Sequence, residues 1–201
     1  MQIKTIVQEI KISLLATLVL AILLCGIYPL VVWGIAQLAF PRHANGSLIE
    51  EKGHIVGSSL IAQRFTGPQY FHPRPSAAGP SGYDAAQSGG SNLGPLSSEL
   101  VRQVKERAEQ YRTENALSPD TLVPQDAVTA SASGLDPHIS LKNAELQAPR
   151  IARVRNVSEA EIQKLIGECT DGPDLGFLGD PGVNVLKLNR ALDSLALDNF
   201  R

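Results

Sequence analysis

From Ile12 to Phe40 the chain is dominated by Leu, Ile, Val and Ala, and no charged side chain occurs between Lys11 and Arg42. Crossing the hydrocarbon core of a bilayer takes about 20 apolar residues in a helix. The pattern therefore predicts a short amino-terminal tail over 1–11, a transmembrane helix over 12–40 and a soluble domain over 41–201. A cleaved secretory signal has an apolar stretch of only about 7–15 residues and ends at a small-x-small site. This run is longer and ends Gln37-Leu38-Ala39-Phe40-Pro41, so it is read as a retained anchor. Lys4 and Lys11 on one side nearly balance Arg42 and Lys52 on the other. The shortness of the tail favours an amino terminus in the cytoplasm and an extracytoplasmic domain. Within the run, Ser13, Thr17, Ala21 and Cys25 recur every fourth residue, which places small side chains in one stripe. Such a stripe lets a partner helix approach closely, although small residues are common in any membrane helix. Pro29 is expected to kink the helix.

Beyond the anchor the periodicity changes. Ser47–Glu50 and His54–Ser58 flank Glu51-Lys52-Gly53 and predict a small hairpin. From Phe65 to Leu96 Pro and Gly are too dense for a helix or a central strand, yet Phe65, Tyr70, Phe71 and Tyr83 fall in the same stretch. We read the segment 65–96 as an ordered irregular loop, with Tyr70, Phe71 and Arg74 as its partner-facing residues; Arg74 is held between Pro73 and Pro75. Ser97 or Ser98 caps a helix with Leu100, Val101, Val104, Ala108 and Tyr111 on its apolar face. Ala127–Ser131 resembles a short strand and Gly134–Pro137 a turn, and Ser140 caps a helix running towards Arg155 that Pro149 bends. Ser158 and Glu161 have capping-box spacing for a helix reaching Cys169. Asp171–Pro181 is loop, Val183–Leu188 a buried strand, and Asn189 opens the last helix. Helices and short strands mix without a βαβ repeat, which makes the fold class α+β: a single amino-terminal transmembrane helix followed by one irregular mixed helix and short-strand domain.

Charge and candidate chemistry narrow the function. The domain has a small acidic excess, so nucleic acid is excluded as a partner. Cys25 and Cys169 fall on opposite sides of the anchor boundary, which leaves no disulfide within the domain and no Cys-x-x-Cys zinc site. His43, His54, His72 and His138 lack metal spacing; Asp136-Pro137-His138 reads as a ligand pair or, more simply, as a turn before a helix. Neither a Gly-x-Ser-x-Gly elbow nor a P-loop occurs. Gln87-Ser88-Gly89-Gly90-Ser91-Asn92 reads either as a nest of backbone N–H groups for an anion or as a Gly turn between aromatic anchors.

Four strings carry a resemblance: Tyr70-Phe71-His72-Pro73-Arg74-Pro75-Ser76-Ala77, Ser88-Gly89-Gly90-Ser91-Asn92-Leu93-Gly94-Pro95, the stretch Val128 to Ser140, and the stretch Val183 to Asp193. In these the chain resembles the C subunit of bacterial Kdp-type potassium-transporting P-type ATPases. The resemblance implies a non-pumping accessory subunit in the bacterial inner membrane. Its implied partners are a channel-like potassium-translocating subunit, a P-type ATP-hydrolysing subunit and a small membrane peptide. It also implies an assembly role and, by a proposal made for the family, an increase in the ATP affinity of the hydrolysing subunit, as a catalytic chaperone. No cofactor is implied for the chain alone; ATP enters through the complex. Gln87, Ser88, Gly89 and Gly90 are the nucleotide-binding candidates on this basis, although no Leu precedes Ser88 and no Gln follows Gly90, as an ABC-type signature requires. The alternative from residues alone is a membrane-tethered hydrolase using Ser133, Asp136 and His138.

Overall fold

The computed structural model describes residues 2–51 and 53–198, so Met1, the hairpin residue Lys52 and residues 199–201 lie outside the described residues. The chain divides into two compact units between Leu48 and Ile49.

In the first unit, α1 (Gln2–Ala21), a π-helical turn (Ile22–Ile27) and α2 (Tyr28–Ala39) run on without a break, followed by the single turn α3 (Pro41–Ala44). Helix thus takes in residues that the sequence pattern left as a tail. Thr5–Ala39 spans 35 residues, an 18-residue stretch within it has a mean hydropathy of 2.6, and its apolar side chains are uncovered by protein. A helix that is apolar on all sides and long enough to span hydrocarbon suits a bilayer. The local disturbance caused by Pro29 takes a particular form. Proline offers no N–H to the carbonyl four residues back and its ring crowds that carbonyl. The preceding turn widens instead, and the Tyr28 N–H donates to the Leu23 carbonyl five residues back.

β1 (Leu48–Glu51), which begins at the boundary, and β2 (His54–Ser58) form the hairpin, and in the second unit no helix or strand follows until α4 (Ser98–Glu114). Then come α5 (Gln125–Val128), β3 (His138–Ser140), α6 (Leu141–Arg155), α7 (Glu159–Glu168), β4 (Thr170–Asp171), β5 (Gly182–Asn184) and α8 (Val185–Asp198). The antiparallel sheet has the order β3-β5-β4, with Ile139 opposite Val183 and Thr170 opposite the same residue on the other side. Phe71, Ile139, Ile151, Ile162, Ile166, Val183, Leu188 and Leu192 fill the core among the sheet, α6, α7 and α8. The caps fall where the local chemistry asks for them: Ser97, Ser140 and the Ser158–Glu161 box each satisfy first-turn N–H groups.

Three local expectations are corrected. Gln125–Val128 is a helical turn, not part of a strand over 127–131, and Asp126 within it accepts from the Ser140 N–H (2.8 Å) and the Asn143 side chain (2.8 Å). The apolar run Val183–Leu188 splits at Asn184, whose Oδ1 accepts the Lys187 N–H at 3.1 Å and so starts α8 at Val185 rather than at Asn189. On α4, Val101 points to solvent, while Tyr111 is buried with its hydroxyl 2.9 Å from Asn143 Oδ1.

The irregular segment is ordered by side chains that act as a replacement strand. Phe71 is fully buried; its N–H donates to Asn189 Oδ1 at 2.8 Å and its carbonyl accepts from Asn189 Nδ2 at 3.0 Å. One residue on, the His72 N–H donates to Gln147 Oε1 at 2.8 Å and its carbonyl accepts from Gln147 Nε2 at 3.2 Å. Arg150 donates to the Pro68 carbonyl and to Gln147 Oε1, and Arg155 donates to the Gln69 carbonyl at 2.8 Å while lying over the Tyr70 ring. A buried backbone group without a partner costs about 1–3 kcal/mol. Replacing Asn189 by Ala orphans two such groups, and we expect a loss of about 2–4 kcal/mol with faster cleavage near Phe71. Urea unfolding followed by circular dichroism, with limited proteolysis of the full chain in detergent, checks this; unchanged stability and cleavage would contradict the pairing.

Candidate functional site

The loop carrying Gln87, Ser88, Gly89 and Gly90 lies against Ser131–Gly134. Gly89 N–H and Ser88 Oγ both donate to the Ser133 carbonyl, at 2.8 and 3.0 Å. Gln87 turns back on Asp84, donating from Nε2 to Oδ2 at 2.8 Å. A nest needs N–H groups that converge on open space, and here the Gly89 N–H is engaged by the facing strand of chain. Gly134 makes that close approach possible: its φ is +67°, and a Cβ there would lie 2.6 Å from the Gly89 carbonyl oxygen. Ser76 ties the same region together, donating to the Gly134 carbonyl at 2.6 Å and accepting from the Tyr83 N–H at 2.8 Å. Of the four candidates Gln87 and Ser88 are exposed, as are Ser91 and Asn92 after them.

The hydrolase constellation is not assembled. Ser133 Oγ accepts from the Leu135 N–H at 3.1 Å and lies 3.4 Å from Ser131 Oγ, with no hydrogen bond to His138 among the described residues. His138 and Asp136 belong instead to a line of alternating charge. Arg74 Nη1 donates to Asp136 Oδ2 at 2.8 Å; Asp136 Oδ1 lies 3.7 Å from His138 Nδ1; His138 Nε2 is 2.9 Å from Asp171 Oδ2; and Lys187 Nζ reaches Asp171 Oδ1 at 3.0 Å. The irregular segment, the turn before β3, β3 itself, β4 and α8 each contribute one member. The Asp136 carboxylate, together with Asp171, raises the His138 imidazole above its ordinary pKa, against the opposing effect of burial. Burial pushes both carboxylates up, but hydrogen bonds and charge from His138, with Arg74 at Asp136 and Lys187 at Asp171, hold them below the usual range.

The residues assigned to a partner surface sort differently. Phe71 is inside the core and cannot face a partner, because its ring packs among α6, α7 and α8 side chains. The Tyr70 ring meets that of Phe65 at a tilt of 53° with centroids 5.4 Å apart, and its hydroxyl donates to Asp193 Oδ2 at 3.2 Å. Arg74 binds the Asp136 carboxylate within its own chain rather than presenting a free guanidinium. In the anchor, Ser13, Thr17 and Ala21 lie on α1, while Cys25 falls in the π-helical turn and borders a shallow apolar groove with Ala21, Gly26 and Leu30. A cleft of about 240 Å³ opens between α4, α6 and the irregular segment, lined by His72, Gln110, Tyr111, Glu114 and Gln147. Burial and the nearby Arg150 push the His72 imidazole below its ordinary pKa. Sequence patterns missed Asn143, Gln147, Arg150, Asp171 and Asn189. The only signal available was the spacing of Asn143, Gln147 and Arg150 along one face of α6.

The shifts set the sign of the pH response. His138 has a raised folded value, so its protonation stabilises the fold fully below about pH 6.5, and that contribution is lost as pH rises through the raised value. Asp136 and Asp171 contribute above about pH 4 and lose that contribution as pH falls through their lowered values. His72 has the opposite sign to His138: its neutral form favours folding above about pH 6.5 and this is lost on acidification. We expect the urea midpoint of the full chain in detergent to fall between pH 6 and pH 8 more steeply than that of His138→Gln. Identical slopes would contradict the line of charges.

Comparison with known proteins covers most of the chain. Residues 10–194 match the family described as "KdpC: K+-transporting ATPase, c chain". The chain is 55% identical over 183 residues to a protein of Mycobacterium tuberculosis named "Potassium-transporting ATPase KdpC subunit", covering 91% of this chain and 96% of that one. Proteins of the same name from Nitratidesulfovibrio vulgaris and Koribacter versatilis are 53% and 50% identical, over 92% and 90% of this chain and 93% and 92% of theirs. With both the apolar helix and the domain inside the matched region, the chain belongs to the KdpC family, the c chains of potassium-transporting ATPases.

Proposed function

We propose that the chain is a non-pumping accessory subunit of an ATP-driven potassium uptake complex in the bacterial inner membrane. It joins a channel-like potassium-translocating subunit, a P-type ATP-hydrolysing subunit and a small membrane peptide, and it raises the ATP affinity of the hydrolysing subunit. The observation that carries this reading is the match over residues 10–194, which includes the anchor together with the domain. The geometry supports it in two ways. Ser133 and His138 are engaged with separate partners inside the domain, as suits a scaffold rather than a hydrolase. The Gly89 N–H is committed to Ser133, which favours an indirect effect on nucleotide through the conformation of the hydrolysing subunit. Coupling of about 1–3 kcal/mol, a change of about 5–150-fold in affinity, is ordinary for such linkage. We place the domain on the extracytoplasmic side of the membrane, where it cannot touch cytoplasmic ATP and acts on the hydrolysing subunit across the complex.

Leu at Ser13, Thr17 and Ala21 together would block close helix approach while leaving insertion intact. We expect this triple variant to reach the membrane but to be lost from the complex on detergent purification; undiminished recovery would remove the docking stripe. Orientation is read with Leu96→Cys, a position exposed over nearly its whole surface, in a background carrying Cys25→Ser and Cys169→Ser. An impermeant maleimide should label it in intact spheroplasts, while a complex purified without the chain should show a KM for ATP raised by about fivefold or more. Labelling only after lysis would reverse the orientation and favour direct nucleotide contact through the exposed Gln87 and Ser88. An unchanged KM would refute the effect on ATP affinity.

A further inference from the structure

The connection between β4 and β5 is an apolar finger. Asp174 and Leu178 pair across a tight turn, each N–H donating to the other's carbonyl at 2.9 Å. Leu175 (φ +54°) and Gly176 (φ +83°) supply the left-handed pair that closes it. Pro173 and Pro181 restrict the chain on either side, and the stem is the β4–β5 ladder, whose Val183 is fully buried. On this mount Leu175, Phe177 and Leu178 are 83%, 75% and 51% exposed. Nothing in the fold requires large apolar side chains at the end of a connection that Gly, Ser or Asn would close equally well. Clusters of this kind mark interaction sites.

The charge around the finger selects its occupant. No Lys or Arg occurs between Leu165 and Leu186, whereas Glu168, Asp171, Asp174 and Asp180 do. Lys164 pairs with Glu168, and Lys187 and His138 pair with Asp171, but the exposed carboxylates of Asp174 and Asp180 bracket the apolar tip without ion-pair partners among the described residues. An anionic bilayer surface repels such a tip. A second copy meeting it tip to tip would oppose the same carboxylates. We propose that the Asp174–Asp180 finger is a docking element that inserts Leu175, Phe177 and Leu178 into an apolar recess, rimmed by Lys or Arg, on another subunit of the complex. This rests on the accessory-subunit reading above and adds the surface through which the domain makes one of its contacts.

The test uses the full chain in the assembled complex. Phe177→p-benzoylphenylalanine places a photoreactive ring at the tip, where it disturbs no core contact. Irradiation of the purified complex should yield an adduct whose mass identifies another subunit of the complex. Asp174→Lys with Asp180→Lys should lower the yield by about threefold or more, as expected when complementary charges across an interface are reversed. An adduct with lipid alone, with a second copy of this chain, or no adduct in a complex that retains the chain would overturn the docking finger and leave the accessory-subunit reading standing. A yield indifferent to the two lysines would overturn the basic rim. Failure of the chain to co-purify with potassium-transport subunits would instead refute the reading on which the finger rests.

Discussion

Two side-chain amides hold the domain together: Asn189 of α8 and Gln147 of α6 hydrogen bond the backbone of Phe71 and His72 on both edges, as neighbouring strands would in a sheet. A long stretch without helix or strand can enter a core only if its N–H and carbonyl groups find partners there. With those four bonds in place, Phe71 can sit fully buried against Ile151, Ile162 and Leu188. The amides are in turn fixed by others. Gln147 Nε2 also donates to Asn143 Oδ1, Asn143 Nδ2 donates to Asp126, and the Tyr111 hydroxyl donates to Asn143. A buried network of this kind stabilises one arrangement because each member left unsatisfied is costly.

Once Phe71 and His72 are placed, the rest of the segment follows along the chain. Arg74 comes within reach of Asp136, and the charges alternate from there through His138 and Asp171 to Lys187. Ser76 and Gly134 then meet, and the Gln87–Gly90 loop closes on Ser133. Ser133, Asp136 and His138 are thereby engaged in holding the domain's own segments together.

Local signals made part of this legible. The charge-free run, the serine caps and the Ser158–Glu161 box depend on neighbours a few residues away, and the helices begin where those residues stand. Order in the Pro/Gly-rich stretch was legible from the aromatics it carries. The partners of that stretch were not: Phe71 and Asn189 lie 118 residues apart and His72 and Gln147 lie 75 apart, with no pattern linking them. For the same reason nothing in the sequence separates Tyr70, which stays partly exposed, from its neighbour Phe71, which is fully buried. The run Val183–Leu188 carries no period that separates strand from helix; Asn184 decides it by capping. Asp171 meets His138 only because β3 and β4 both pair with β5, and Lys187 joins through Asp171, so the sequence offered Asp136-Pro137-His138 as a fragment of a longer line.

Amide hydrogen exchange of the full chain in detergent, read at peptides covering Phe71 and His72, tests the central pairing most directly. The account predicts protection of these two amides comparable to that of α6 and α8, because they open only with the core, while amides in the exposed stretch around Ala86 exchange rapidly. Exchange at Phe71 and His72 as fast as at an exposed loop would contradict it.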